Sequence, residues 1–232
     1  MKKLPYLLIL SGLFSVPAMA ADSPHTFTGN FGLFSDYAFR GQSQTAGDAA
    51  LQGGFDYAHA SGVYLGTWAS NVETTFLNGA NIEMDFYGGY SGTAGDLAYN
   101  LGMLKYYYPG QNAGTDINTL EAYAGITFKG LGVKMSYNLD DYFGVPDSDG
   151  TIYWDLSYGV ELPAKVMLSL HYGITDGQNG VTDYEDWKIG VSKEFSGFNV
   201  GLAYTDTDLP VGLVKTEDVN DGRIILSIGK TF

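Results

Sequence analysis

The sequence predicts an all-β fold: a 12-stranded antiparallel transmembrane β-barrel of the outer-membrane type, with short periplasmic turns and longer extracellular loops. Three observations predict it. The chain opens on an export leader, continues as alternating segments of the length a tilted strand needs to cross a bilayer, and joins them by connections whose lengths sort by parity.

The leader comes first. Met1, Lys2 and Lys3 form a short positive region, Leu7 to Val16 an apolar run, and Ala18-Met19-Ala20 a small-residue site. This is the pattern of a secretory signal peptide cleaved between Ala20 and Ala21. The run is too short, and too soon followed by Pro17, to be an uncleaved anchor. The expected organisation is a signal peptide over 1–20 and a single barrel domain over 21–232. Cleavage removes two of the 12 basic side chains and none of the 26 acidic ones, so the excess of acid grows. Such acidity argues against a nucleic-acid partner, which calls for a basic face. There are no cysteines, hence no disulfide framework and no thiolate metal site. No cofactor is implied.

Twelve segments follow. The first, Thr26 to Phe39, sets Phe27, Phe31, Leu33, Tyr37 and Phe39 against Thr28, Asn30, Asp36 and Arg40. Gln52 to Ala58, Val63 to Asn71, Asn81 to Tyr90, Leu97 to Tyr108, Thr119 to Phe128 and Gly132 to Asp140 come next. Thr151 to Leu162, Lys165 to Ile174, Tyr184 to Phe195, Phe198 to Thr205 and Arg223 to Phe232 complete the set. An even number suits a bacterial single-chain barrel. In Val63 to Asn71 either parity could face lipid, which leaves Tyr64 and Trp68 unassigned.

Every other connection is short: His59 to Gly62, Ser91 to Asp96, Lys129 to Leu131, Pro163 to Ala164, and Ser196 to Gly197. Those between them are longer and rich in Gly, Asp and Asn. A soluble sandwich has no reason to sort its loops this way.

Aromatic residues predict two girdles at the membrane boundaries. Tyr37, Phe39, Tyr106 to Tyr108, Tyr142, Phe143, Tyr153, Trp154, Tyr172, Tyr184, Trp187 and Tyr204 mark the long-loop end. Phe128, Phe195, Phe198 and Phe232 mark the short-turn end. In the last strand Ile224, Leu226, Ile228 and Phe232 share a face, and the sequence stops on that Phe. This resembles the signal read by the barrel assembly machinery of outer membranes. Periplasmic chaperones and outer-membrane lipid are the other expected partners.

Ser35-Asp36-Tyr37, Phe39-Arg40-Gly41, Ser43-Gln44-Thr45, the run Ala50 to Gly62 and the run Gly66 to Val72 look like a known bacterial family. Glu83, Asp85, Tyr87, Gly89, Tyr106 to Gly110, Glu121, Tyr123 and Gly125 extend the match. Together they resemble the TorF porin family, also described as the Gcw_chp family of exported proteins. The resemblance implies an outer-membrane channel and carries no substrate with it.

If the apolar face meets lipid, the other face lines a lumen. Its charged candidates are Asp36, Arg40, Asp56, Glu83, Asp85, Glu121, Lys134, Asp140, Asp155, Glu161, His171, Lys188 and Arg223. Carboxylates exceed Arg and Lys in this set, which favours passage of cations among small polar solutes and ions. Equally, the same side chains could pair with one another and plug a narrow barrel, a closed structural or ligand-binding protein. Arg40 is either a mouth residue for an anionic solute or the neutraliser of Asp36.

A hairpin centred on Pro163 would oppose Asp155 to His171 and Ser157 to Ser169, the ingredients of a hydrolase triad. A lipid hydrolase should present its site to lipid, whereas parity turns His171 inward, so a cross-strand ion pair is the favoured reading and no catalytic residue is assigned. Acidic loop clusters (Asp140, Asp141, Asp147 and Asp149; Asp206, Asp208, Glu217, Asp218 and Asp221) could take Ca²⁺. They lack EF-hand spacing, and solvated loops are the commoner outcome. No metal site is assigned.

Overall fold

The computed structural model describes residues 23–232; the expected signal peptide and its cleavage site lie outside the described residues. Twelve long strands form one closed antiparallel ring. They are β1 His25–Phe34, β2 Ala50–His59, β3 Val63–Asn71, β4 Ile82–Ala94, β5 Leu97–Tyr107 and β6 Thr119–Phe128. The second half comprises β7 Leu131–Asn138, β8 Ile152–Leu162, β9 Val166–Asp176, β10 Tyr184–Phe195, β11 Phe198–Thr207 and β12 Arg223–Thr231. Each strand pairs with its neighbours in sequence, and β1 returns to β12 through the register Asn30–Thr231 to Phe34–Ser227. Closure leaves no free edge, so every strand finds ladder partners on both sides, as a hydrocarbon environment requires.

Burial runs opposite to that of a soluble protein. Phe27, Phe55, Leu65, Leu101, Ile126, Leu156, Ile189, Leu202 and Leu226 are exposed on the outer wall. Meanwhile Glu83, Glu121, Asn138 and Asp186 are almost fully buried. An apolar belt around a polar interior is the pattern of an outer-membrane barrel, and this chain is one.

At the short-turn end, Phe128, Phe195, Phe198 and Phe232 face outward, with the ammonium groups of Lys129, Lys193 and Lys230 lying 5.0–5.6 Å from their ring centres. The long-loop end differs from expectation. Tyr107, Trp154, Tyr172 and Trp187 do face outward. Tyr106, Tyr108, Tyr153 and Tyr184 are buried instead, and Tyr37, Phe39 and Phe143 pack against the interior cluster of Trp68, Tyr106 and Tyr108. Tyr204 packs on outward Trp187 with ring centres 5.1 Å apart, so it belongs to the girdle, whereas the buried rings fill the barrel.

The first strand is also shorter than its period suggests. β1 stops at Phe34, and residues 35–45 turn inward as a small hairpin, Ala38–Phe39 against Gln42–Ser43. Arg40 (φ 47°) and Gly41 (φ 82°) make its tip. Alternation could not reveal this, because Tyr37 and Phe39 suit a packed interior as well as lipid.

Two further corrections concern register and side. The β8–β9 turn holds three residues, Pro163–Lys165, so Ser157 faces His171 and Asp155 faces Gly173. That shifts the expected pairing by two. Asp140 lies past the end of β7 and pairs with Lys105 at 3.1 Å, both side chains substantially exposed, so it does not line the interior. Tyr64 and Trp68, unassigned by sequence, both point inward: Tyr64 donates to Asn100 at 2.6 Å, and Trp68 is buried.

Candidate functional site in the barrel lumen

The interior hairpin is seated by one carboxylate. Asp36 accepts from the Ser43 and Thr45 hydroxyls at 2.6 and 2.7 Å through one oxygen. Its other oxygen takes the Arg223 guanidinium, from the start of β12, at 2.6 Å. Arg40, expected either at the mouth or beside Asp36, does not pair with that carboxylate. Instead Arg40 crosses the barrel to β6 and binds Glu121 at 2.6 Å. Its guanidinium lies 4.1 Å from the Tyr153 ring centre, 4.8 Å from Phe39 and 5.9 Å from Tyr142. The opposite side of the tip touches β10 and β11. A Cβ on Gly41 would fall 2.7 Å from Thr207 Cβ and 2.8 Å from Asp186 Cβ, so only glycine fits. The hairpin therefore bridges the lumen from wall to wall.

Around the tip lies a layer of carboxylates and aromatic rings. Glu83 accepts from Tyr37 and Tyr108 at 3.0 and 3.1 Å. Glu121 takes the Tyr106 hydroxyl at 3.3 Å besides Arg40. Asp85 stands between Trp68 and Tyr106 in the sheet and is 3% exposed, and its Oδ1 has no hydrogen-bond partner among the described residues.

A second layer lies on β7 to β10. His171 Nδ1 is 3.1 Å from Asp155, and its Nε2 is 2.9 Å from Asp186 and 3.0 Å from the Tyr153 hydroxyl. Tyr153 donates to Asp186 at 2.9 Å, and Lys134 lies 4.0 Å from Asp155. Gly173 leaves the room this requires, since a Cβ there would overlap both Asp186 and the Tyr153 ring. Lys188, opposite His171 in the sheet, shares this inner face. A third layer, on β2 to β6, is tyrosine-rich. Tyr87 donates to Asp56 at 2.6 Å, and Tyr64 meets Tyr123 and Asn100.

Thus Asp36, Arg40, Asp56, Glu83, Asp85, Glu121, Lys134, Asp155, His171, Lys188 and Arg223 all face the interior. Glu161 is exposed near the end of β8 beside the short turn, and Asp140 lies outside. Ile224, Leu226, Ile228 and Phe232 face outward. Asp186, absent from the expected set, also faces inward and shares the parity of Lys188 two residues on. Tyr37 and Phe39 of the hairpin, expected in the girdle, pack inside. Both imidazole nitrogens of His171 are taken by two carboxylates and a phenol. Among the described residues no group of three or more His, Cys, Asp or Glu is arranged to hold a metal ion.

The family model described as a bacterial protein of unknown function, Gcw_chp, matches residues 18–232. The chain belongs to this family. No curated protein matches it in sequence. Among solved structures this Gcw_chp barrel is similar to the KdgM porin, with a TM-score of 0.57 at 8% identity, covering 88% of this chain and 99% of that one. The NanC porin gives 0.56 at 11% identity, covering 89% and 98%. A structure titled as KdgM porin in complex with disordered oligogalacturonate gives 0.55 at 8% identity, covering 88% and 99%. At such identities the likeness establishes the shared barrel fold.

Proposed function

We propose that this Gcw_chp protein is an outer-membrane channel through which small polar solutes and ions diffuse passively, with preference for cations. The observation that carries this reading is the charged interior. Asp36, Asp56, Glu83, Asp85, Glu121, Asp155 and Asp186 face inward against Arg40, Lys134, Lys188 and Arg223. A barrel whose task was only to sit in lipid has no use for so many desolvated charges, each costly to bury. Fixed acids lining a confined path favour cations and disfavour anions. The hairpin ending at Arg40 and Gly41 supplies the steric sieve.

The interior does no bond-making in this reading. Both nitrogens of His171 lie against carboxylates, so none is free to take a proton from Ser157 or Ser169. The residues past Asp36 in sequence serve the channel by narrowing it. A leader over residues 1–20 would direct export, and the outward face of Ile224, Leu226, Ile228 and Phe232 would be read during assembly.

One observation favours a second reading, a barrel closed by its own hairpin: Arg40 and Glu121 join opposite walls through a buried ion pair. Planar bilayers separate the two. A channel gives stepwise conductance, and a reversal potential in a KCl gradient with the sign of cation preference. Silent bilayers with folded protein would leave the closed barrel standing.

A further inference from the structure

We propose that the aromatic–carboxylate layer beside the hairpin tip is a binding site for a small organic ammonium ion, centred on Asp85. The inference rests on the channel reading above and names the solute class that the level of the hairpin tip retains.

The layer is short of positive charge. Glu83, Asp85 and Glu121 are each at most 3% exposed, and among the described residues Arg40 forms its ion pair with Glu121. Glu83 has two phenolic donors, which satisfy its oxygens without cancelling its charge. Asp85 lacks even that at Oδ1, an acceptor 3% exposed with nothing to accept. A desolvated carboxylate in this state calls for a donor carrying positive charge.

The walls specify what kind of cation. Asp85 lies between the inward rings of Trp68 and Tyr106, and Tyr37 packs on Trp68 with ring centres 5.4 Å apart. Ring faces attract a cation with an apolar body and weak hydration, whereas a bare metal ion wants several oxygen ligands. Among the described residues no three carboxylates or imidazoles are arranged to hold a metal ion. The molecule also contains its own example of such recognition. Arg40 holds a nitrogen cation against one carboxylate and over the rings of Tyr153 and Phe39. Asp85, Trp68 and Tyr106 repeat those chemical elements in the same layer.

Trp68 provides the readout, because the other two tryptophans, Trp154 and Trp187, face outward and can be changed to Phe. Full-length protein with W154F and W187F, folded in detergent at pH 7.5, is titrated with methylammonium chloride and, separately, with NaCl. The expected result is a saturable change in Trp68 emission with methylammonium and none with NaCl. Asp85→Asn should weaken it at least tenfold while Asp85→Glu retains it. An identical response to NaCl, or an undiminished one in Asp85→Asn, would overturn the site. So would a pH titration that reproduces the whole signal without amine, because a proton would then satisfy Asp85. Conductance is measured in parallel: a silent bilayer with binding intact sinks the channel and spares the site, and conductance without binding does the reverse.

Discussion

Asp36 and Arg223 meet at 2.6 Å across the joint where the first and last strands of the barrel come together. This pair fixes the root of the interior hairpin, since the same carboxylate also holds Ser43 and Thr45. Removing one member of a pair this well buried strands the other. Asp36→Asn should destabilise the folded barrel by about 3–5 kcal/mol and raise single-channel conductance as the hairpin loses its seat. Urea unfolding in detergent and bilayer recording measure the two effects; unchanged conductance would mean that the hairpin does not depend on Asp36.

Arg40→Ala removes the tip of the constriction and leaves Glu121 without its cation. Conductance should increase and cation preference sharpen, read as a larger reversal potential in a KCl gradient. Adding Glu121→Gln should restore stability partly while leaving the wide conductance, because the stranded charge is then gone.

Gly41→Ala tests the same constriction with no change in charge. A methyl at this left-handed position collides with Thr207 and Asp186. The tip must lift from β10 and β11, so conductance should rise as it does for Arg40→Ala. Conductance equal to wild type would show that the tip does not bear on that wall.

The loops at the long-loop end carry a pH-dependent clasp. Glu73 binds Lys215 at 2.6 Å and the Thr75 amide at 3.0 Å. These hydrogen bonds, the lysine first, hold the Glu73 carboxyl at about 2, and the same contact raises Lys215 above its usual value. A lowered acid contributes stability that is fully present above its ordinary value of 4.5 and disappears as pH falls toward 2. Spin labels at Thr75 and Thr216 should therefore report a constant distance from pH 7 to about 5 and separation only in stronger acid. Glu73→Gln should weaken the clasp already at neutral pH.

The apolar belt predicts an asymmetry between faces. Leu202, exposed near the middle of β11 opposite Leu226, should cost about 2–4 kcal/mol when changed to Arg if it sits at bilayer mid-depth. The measurement is unfolding in lipid vesicles. A cost near zero would place this face away from acyl chains.

Much of this architecture is legible in the amino-acid order because lipid enforces a strict two-residue period. The bounds of β3, β6 and β10 coincide with the expected segments. Legibility fails where the environment on the two faces becomes alike. Tyr37 and Phe39 continue the alternation of β1, yet they pack against Trp68 and Tyr106 inside, where rings are as welcome as in lipid. The β8–β9 register differs by two because the turn is centred on Ala164, one residue beyond Pro163, with Lys165 as its third member; both Ala164 and Lys165 have positive φ. Of the site, charges on regular strands could be placed by parity. The reach of Arg40 to Glu121 spans 81 positions, and no local pattern encodes such a partner.

The hairpin's mooring has a consequence for how the molecule is made. Its anchor, Arg223, arrives almost 190 residues after Asp36, and pairings so remote in sequence form late. Until the two ends of the chain are stitched together, the inward finger has no fixed berth. The finger's seat thus depends on the final stitch: until the ring closes, nothing moors the hairpin at its root.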